Sequence, residues 1–249
     1  MTRAAIDAAA RKLAEHREIW EKKPVLRQLY SEWYGQIASF LGPGSTVELG
    51  SGPGNLKGAR ADVIATDIVP CPWLDAVVDA MRLPFRTNAL GNLVLFDVLH
   101  HLAAPAQFFA EAARTLTRLG RVIIFDPYIS PFSRLVFALA HPEPVDLSID
   151  PLALAPAPEE SKDPFDANQG FATRLFWKEL DTTLSRLPGF RLVHRSRESL
   201  LRYPLSGGFG RSAFVPDWMF GPLARVERAL APFAPVLAFR TLVVLEKTG

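Results

Sequence analysis

The stretch VELGSGPGN, residues 47–55, sets glycine at every second position, 50, 52 and 54, directly after a short apolar run that contains an acid, Glu48. Glycine serves where the backbone must turn in the left-handed region or where something must lie against bare main chain. The run before the loop reads as a strand and NLKGARA after it as a short helix, the context of a nucleotide-type site. The dinucleotide fingerprint G-x-G-x-x-G needs a glycine where Asn55 stands, and a P-loop needs Lys and Ser or Thr where Asn55 and Leu56 follow Gly54. Phosphate cradling is therefore not expected, whereas close approach of the backbone to a flat or branched ligand is. A carboxylate such as Glu48 is costly in a buried strand unless it is paired. An ammonium group on the ligand would supply the partner.

Outward from this loop, short apolar runs alternate with turns and helices: TVEL, DVIATD, DAVVD, NLVLFD and RVIIFD. A helix over 105–119, opened by Pro105 and closed by Gly120, is expected between the last two. The alternation predicts an α/β fold, a parallel sheet with helices on both faces. A helix near 173–187 then precedes the strand RLVHRS, and FRTLVVLEK closes the chain as a strand. Upstream, residues 1–44 read as two N-terminal helices packing on the core. Ile6, Leu13 and Trp20 share a face of the first; Pro24 opens the second, with Leu26, Leu29, Trp33, Ile37 and Phe40 at helical spacing. The main domain spans 45–249, with two insertions that break the alternation: about 127–170, rich in proline and acid, and 200–237, mixing glycine, proline and aromatics. Each follows a strand and so leaves the carboxyl edge of the sheet, where open α/β sheets hold their ligand crevice. The insertions are expected to cap that edge and roof the site.

Acids recur at strand ends beside the same crevice. Asp67 ends the second strand and can accept both hydroxyls of a ribose. Asp79 ends the third and can accept from an adenine amino group; Asp97 ends the fourth. Any one of them can equally cap a helix or make a turn, but the set beside three glycines points to a ligand with hydroxyls and positive charge.

VELGSGPGN, the acid of VIATDIV, VVDAMRLPF and LFDVLHHL together resemble the successive motifs of class I S-adenosylmethionine-dependent methyltransferases. Within these the chain is most similar to the small-molecule group that includes quinone-biosynthesis methyltransferases. The resemblance spans about residues 45–126 and the closing strand. It implies a Rossmann-like, seven-stranded sheet with the last strand antiparallel, and S-adenosyl-L-methionine as cofactor. It also implies that Gly50, Gly52 and Gly54 pack against the cofactor and that Glu48 serves its amino-acid end. Asp67 would hold the ribose, Asp79 and Ala80 the adenine, and Asp97 and Val98 would flank the methionine portion. Ser51, Asn55 and Ile68, beside these residues, join the implied cofactor set. One departure is the short glycine-containing helix NLKGARA, where the family has a longer one.

A sulfonium methyl is already a strong electrophile, so the protein must chiefly align an acceptor in line with it and exclude water. A base is needed only where the acceptor must lose a proton. His100 and His101, just past the fourth strand, are the candidates, followed by Asp126 and Tyr128 past the fifth; His101 is preferred on position. The two histidines are adjacent and lack the spacing of a helical metal pair, so no metal is expected. Tyr128, Tyr203 and Trp33 are the candidates for the acceptor. The roof also carries Phe132, Phe137, Phe165, Phe171, Phe209, Phe214, Trp218 and Phe220, which suits an apolar, aromatic or lipid-like small-molecule acceptor. Gly207, Gly208 and Gly210 serve as closure hinges or as turn residues.

Composition limits the alternatives. The 249 residues carry 28 basic and 26 acidic side chains, a formal charge of +2, which leaves no nucleic-acid footprint. FDPY at 125–128 has only part of the motif of amino-methylating nucleic-acid enzymes and follows the wrong strand. A single cysteine, Cys71, suits a reducing compartment. The first twenty residues are too charged for a signal peptide and the longest apolar stretches too short for a transmembrane segment, so a cytoplasmic protein is expected. Peripheral membrane contact through 200–237 is a further expectation. Two other functions stand beside the methyltransferase: a non-catalytic module that binds the cofactor, and a nicotinamide-dependent oxidoreductase, which Asn55 disfavours.

Overall fold

In a computed structural model the strand leading into the glycine loop, β1 (Thr46–Leu49), is buried at every position. It pairs in parallel with β2 (Val63–Asp67) on one side and β4 (Leu90–Phe96) on the other. The model describes residues 2–140, 143–155 and 167–249. β3 (Ala76–Val77) extends the sheet beyond β2; β5 (Leu116–Pro127), β7 (Arg240–Lys247) and β6 (Phe190–Glu198) extend it beyond β4. The order is β3-β2-β1-β4-β5-β7-β6, with β7 antiparallel to both its neighbours. This is the seven-stranded, Rossmann-like sheet with an antiparallel last strand.

Side chains alternate across the sheet with the two-residue period of a strand. Leu93, Leu95, Val122, Ile124, Val243 and Leu245 face one side, where they meet Phe108 and Phe109 of α4 (Pro105–Thr115). Val94, Phe96, Ile123, Phe125, Leu242 and Val244 face the other, covered by α2 (Pro24–Ser39) through Leu26, Leu29, Trp33 and Ile37. Helices on both faces follow from strands that are apolar on both. α1 (Arg3–Lys22) lies outside α2, with Ala9 and Leu13 packed near Val69.

Two local expectations are corrected. The helix expected over 105–119 ends at Thr115. Leu116 is buried, pairs with Leu90 and accepts a hydrogen bond from Lys247 Nζ at 2.8 Å, and these contacts draw it into β5. The later helix is broken: α6 (Phe171–Thr173) runs into a π-turn over Arg174–Lys178 before α7 (Leu180–Arg186). α3 (Asn55–Ala59) is the short helix after the glycine loop.

Both insertions leave the carboxyl edge. The first, after β5, contains α5 (Pro131–Ala140). The second, after β6, contains α8 (Arg202–Ser206), α9 (Phe220–Ala229) and α10 (Ala234–Leu237). Buried Glu227 ties the second together: one carboxylate oxygen accepts the N–H groups of Leu200, Leu201 and Arg202, while the other accepts from the Arg202 guanidinium. Arg202 also donates twice to Glu32 of α2, fixing the roof to the core. Gly207 is a turn residue, because at φ +70° a Cβ would stand 2.4 Å from the Ser212 carbonyl oxygen. Phe165 lies outside the described residues.

Candidate active site

The three glycines of the loop are all left-handed, with φ of +67°, +51° and +77° at Gly50, Gly52 and Gly54. At two of them protein also fills the space a side chain would need. A Cβ on Gly50 would lie 2.4 Å from Val98 Cγ2, and one on Gly54 would lie 3.1 Å from the Trp73 ring. Gly54 also forms the turn into α3, and among the residues expected at the cofactor it alone does not line the cavity that the others share. Gly50→Ala combines left-handed strain with a clash, and is expected to cost about 2 kcal/mol of stability by denaturant titration.

That cavity, about 300 Å³ and at the low end for small-ligand sites, opens at the carboxyl ends of β1, β2 and β4. α1 closes one side with Lys12, Leu13 and His16, and Arg17 donates to the Pro53 carbonyl of the loop. The roof closes the other side, where Phe209 stacks on His16 with ring centroids 4.8 Å apart. The part played by α1 has no motif and was not legible in the sequence.

The acids differ in how they are held. Asp67 accepts from the Gly52 and Val69 N–H groups, both at 2.9 Å, so it braces the loop and keeps lone pairs for a ligand. Burial nonetheless raises its pKa. Asp79 accepts from the Met81 N–H at 2.9 Å, forming an Asx turn at the cavity wall. Glu48 is buried, and its Oε2 has no hydrogen-bond partner among the described residues. Burial pushes its carboxyl up to about 8, with the nearby Asp67 charge acting the same way. Asp97, at φ +58°, is clasped by both terminal nitrogens of Arg240, the first residue of β7. Arg240 is buried, with its guanidinium 4.4 Å from the Tyr203 ring centroid.

Past β4 a 3-10 turn, Leu99–His101, carries the two histidines. They take different places. His101 lines the cavity, while His100 lies behind it, buried, with the ring centroids 4.1 Å apart. His100 Nδ1 stands 2.9 Å from Oδ1 of the buried Asp126, and Nε2 stands 3.8 Å from Glu143 Oε2. Burial works against charge on His100, but Asp126, with Asp97 and Glu143, outweighs it and holds the pKa above the ordinary histidine value. Glu143, from the first insertion, also accepts from Gln169 Nε2.

Tyr203 lines the cavity, but the other two residues expected at the acceptor do not. Trp33 is buried between Phe125, Phe96 and Tyr30, the fate of an aromatic on the inner face of a helix. Tyr128 is buried against Trp177, and its hydroxyl accepts from Arg197 at 2.8 Å. Phe209, one of the roof aromatics, lines the cavity, whereas Arg240, Glu143 and the residues of α1 are the site residues that sequence reasoning missed.

Residues 47–124 match the family model described as a methyltransferase domain. The geranyl diphosphate C-methyltransferase of Streptomyces coelicolor A3(2) is similar in structure at 12% identity, with a TM-score of 0.53 over 89% of this chain and 80% of that one. A S-adenosylmethionine-dependent methyltransferase of Archaeoglobus fulgidus matches at 15% identity and a TM-score of 0.50, over 89% and 94% of the two chains. The cyclase SpnF matches at 17% identity and 0.52, over 89% and 82%. No curated protein matches by sequence. Likeness at such identities carries the fold, and the matched segment covers about a third of the chain. The chain thus shares its fold with S-adenosylmethionine-dependent methyltransferases and carries, over residues 47–124, a segment that matches a methyltransferase domain. No described helix is long and apolar enough to cross a membrane.

Proposed function

We propose that this enzyme methylates a small acceptor with an apolar body and a polar reacting end, bound under the roof and aligned with the methyl group. The carrying observation is the Oε2 of buried Glu48, without a hydrogen-bond partner among the described residues, in the same cavity as the glycine loop and His101. A cationic amino-acid moiety supplies what that oxygen lacks, so the residues fit S-adenosylmethionine. Glu48 holds its ammonium group, Asp67 its ribose hydroxyls, Asp79 and Ala80 its adenine. Gly50, Ser51, Gly52 and Asn55 form the floor, while Ile68, Val98 and the neutralised Asp97 form the walls. When bound, the cofactor supplies a methyl group activated by the sulfonium.

The rest is this chain's work. Tyr203, Phe209 and Leu102 offer the acceptor an apolar wall and keep water out. His101 and Glu143 meet its reacting end and assist loss of a proton there, with His100 behind them. His101→Ala is expected to lower turnover at least tenfold while leaving affinity for S-adenosylhomocysteine within about twofold. Incorporation of labelled methyl from the cofactor into a metabolite extract tests the reading as a whole. Binding without any transfer would instead favour the non-catalytic module.

Peripheral membrane contact belongs to the same proposal. Phe214 and Trp218 of the roof are 62% and 74% exposed, with Arg211 and Arg225 close in sequence. Replacing both aromatics by serine is expected to release the protein from sedimenting anionic vesicles.

A further inference from the structure

His100, His101 and Glu143 form a second constellation in the molecule, distinct from the residues assigned to the cofactor. One ligand atom from each lies within 4.8 Å of the others. We propose that these three side chains bind one divalent first-row transition-metal ion at the acceptor end of the cavity. This rests on the methyltransferase reading for its purpose, but not for its test.

Three observations carry it. First, His100 Nδ1 is committed: at 2.9 Å from Asp126 Oδ1, a carboxylate with no solvent exposure, it is placed to donate its N–H there. In the neutral ring that leaves Nε2 with a lone pair directed to the opposite side, the arrangement in which a buried carboxylate fixes the tautomer of a metal-binding imidazole. Second, the group Nε2 faces is another acceptor, Glu143 Oε2, at 3.8 Å. Ligand atoms held at about 2.1 Å from one ion stand about 3.0–3.4 Å apart, so these two need to close by only about half an ångström. Third, the fold spends structure on bringing Glu143 there. Asn168 N–H donates to the His100 carbonyl at 2.9 Å, Gln169 N–H to the Pro144 carbonyl at 3.0 Å, and the Gln169 side chain to Glu143 itself. The roof is thereby stitched to the histidine turn at the carboxylate.

Two imidazoles and one carboxylate favour zinc, cobalt, iron or nickel over magnesium or calcium, which prefer oxygen alone. Three protein ligands leave at least one position free. His101 and Glu143 line the cavity, so that position can receive an oxygen of the acceptor, and an ion so held would favour loss of the acceptor's proton in place of direct transfer to the His101 ring. Adjacent histidines cannot both join a helical ligand pair. On a 3-10 turn, with a carboxylate brought from the roof, they can join one site.

The test uses the full chain, free of any histidine tag and stripped with chelator. Titration with Zn2+ by calorimetry, and with Co2+ by its visible absorption, is expected to show one ion per chain, with millimolar Mg2+ failing to compete. The double variant His101→Ala/Glu143→Gln is expected to lose this uptake while still binding S-adenosylhomocysteine. Asp126→Asn, a change at a positioning residue, should weaken both ions by about 10–100-fold. No saturable uptake by the wild type, or equal uptake by the double variant, overturns the site. Because S-adenosylhomocysteine binding is read in the same samples, failure of the metal site and failure of the cofactor reading are told apart.

Discussion

Glu48→Gln is expected to weaken binding of S-adenosylmethionine and of its demethylated product by about a hundredfold, the scale for removing one partner of a buried charge pair. The wild-type carboxyl is buried, is held near 8 and has one oxygen with no partner among the described residues. In the free protein at pH 7 it therefore carries its proton. An arriving ammonium group favours the ionised form, so binding must expel that proton. Calorimetry at pH 7 in two buffers of different protonation enthalpy should count close to one proton released by the wild type and none by Glu48→Gln. Wild-type affinity should climb as pH rises from about 6 to 8, then level off as the ligand's own amine, with an ordinary pKa of about 7.7–8.0, begins to lose its charge. A variant that binds within twofold of wild type, with unchanged proton release, would remove Glu48 from the cofactor's amino-acid end.

The same carboxyl sets a stability trend in the absence of ligand. An unfolded glutamate ionises near 4.5, whereas the folded one keeps its proton to about 8. Between those values the folded state holds more protons than the unfolded state, so stability falls as pH rises, by at most about 1.4 kcal/mol per pH unit for a single group. The ligand-free melting temperature should drop across that window less in Glu48→Gln than in the wild type.

The contrast between these residues and the histidine cluster shows what a sequence makes legible. The proposed cofactor berth is built from segments in which residue type and strand end coincide: glycines after β1, Glu48 within it, and acids at the ends of β2 and β4. The period-two and helical patterns locate those ends, so the acids and all but Gly54 of the glycines come to one cavity as the motifs implied. Gly54 fails because its geometry serves the turn into α3 and the Trp73 ring, a purpose that looks identical in sequence. Trp33 fails because helical spacing gives a residue's face but not what covers that face. Glu143 and Arg240 carry no local signal at all. The first is brought in by an insertion of irregular structure, and the second is an arginine at the start of a strand, where exposure is the ordinary expectation. Both are defined by a partner more than forty residues away.

Arg240→Met is therefore the structural variant expected to do most damage. The guanidinium is buried, packs over the Tyr203 ring and grips Asp97 with both terminal nitrogens. Asp97 itself sits in the left-handed region, which for an aspartate persists only when surrounding contacts hold it. Removing one member of a buried pair leaves the other charge uncompensated, at a cost of about 3–5 kcal/mol. Asp97 keeps some solvent contact, with 29% of its side chain exposed, which argues for the lower figure. At about 2–4 °C per kcal/mol for a chain of this size, the melting temperature should fall by roughly 6–12 °C. Arg240→Lys restores the charge without the planar two-pronged grip and should recover only part of the loss. Asp97→Asn in the Arg240→Met background removes the stranded charge and should be less harmful than the sum of the single changes, a coupling that thermal melts of the four proteins measure directly. Additive losses would mean that Arg240 acts through its packing on Tyr203 alone, and that the charge of Asp97 is left to face the cofactor unneutralised.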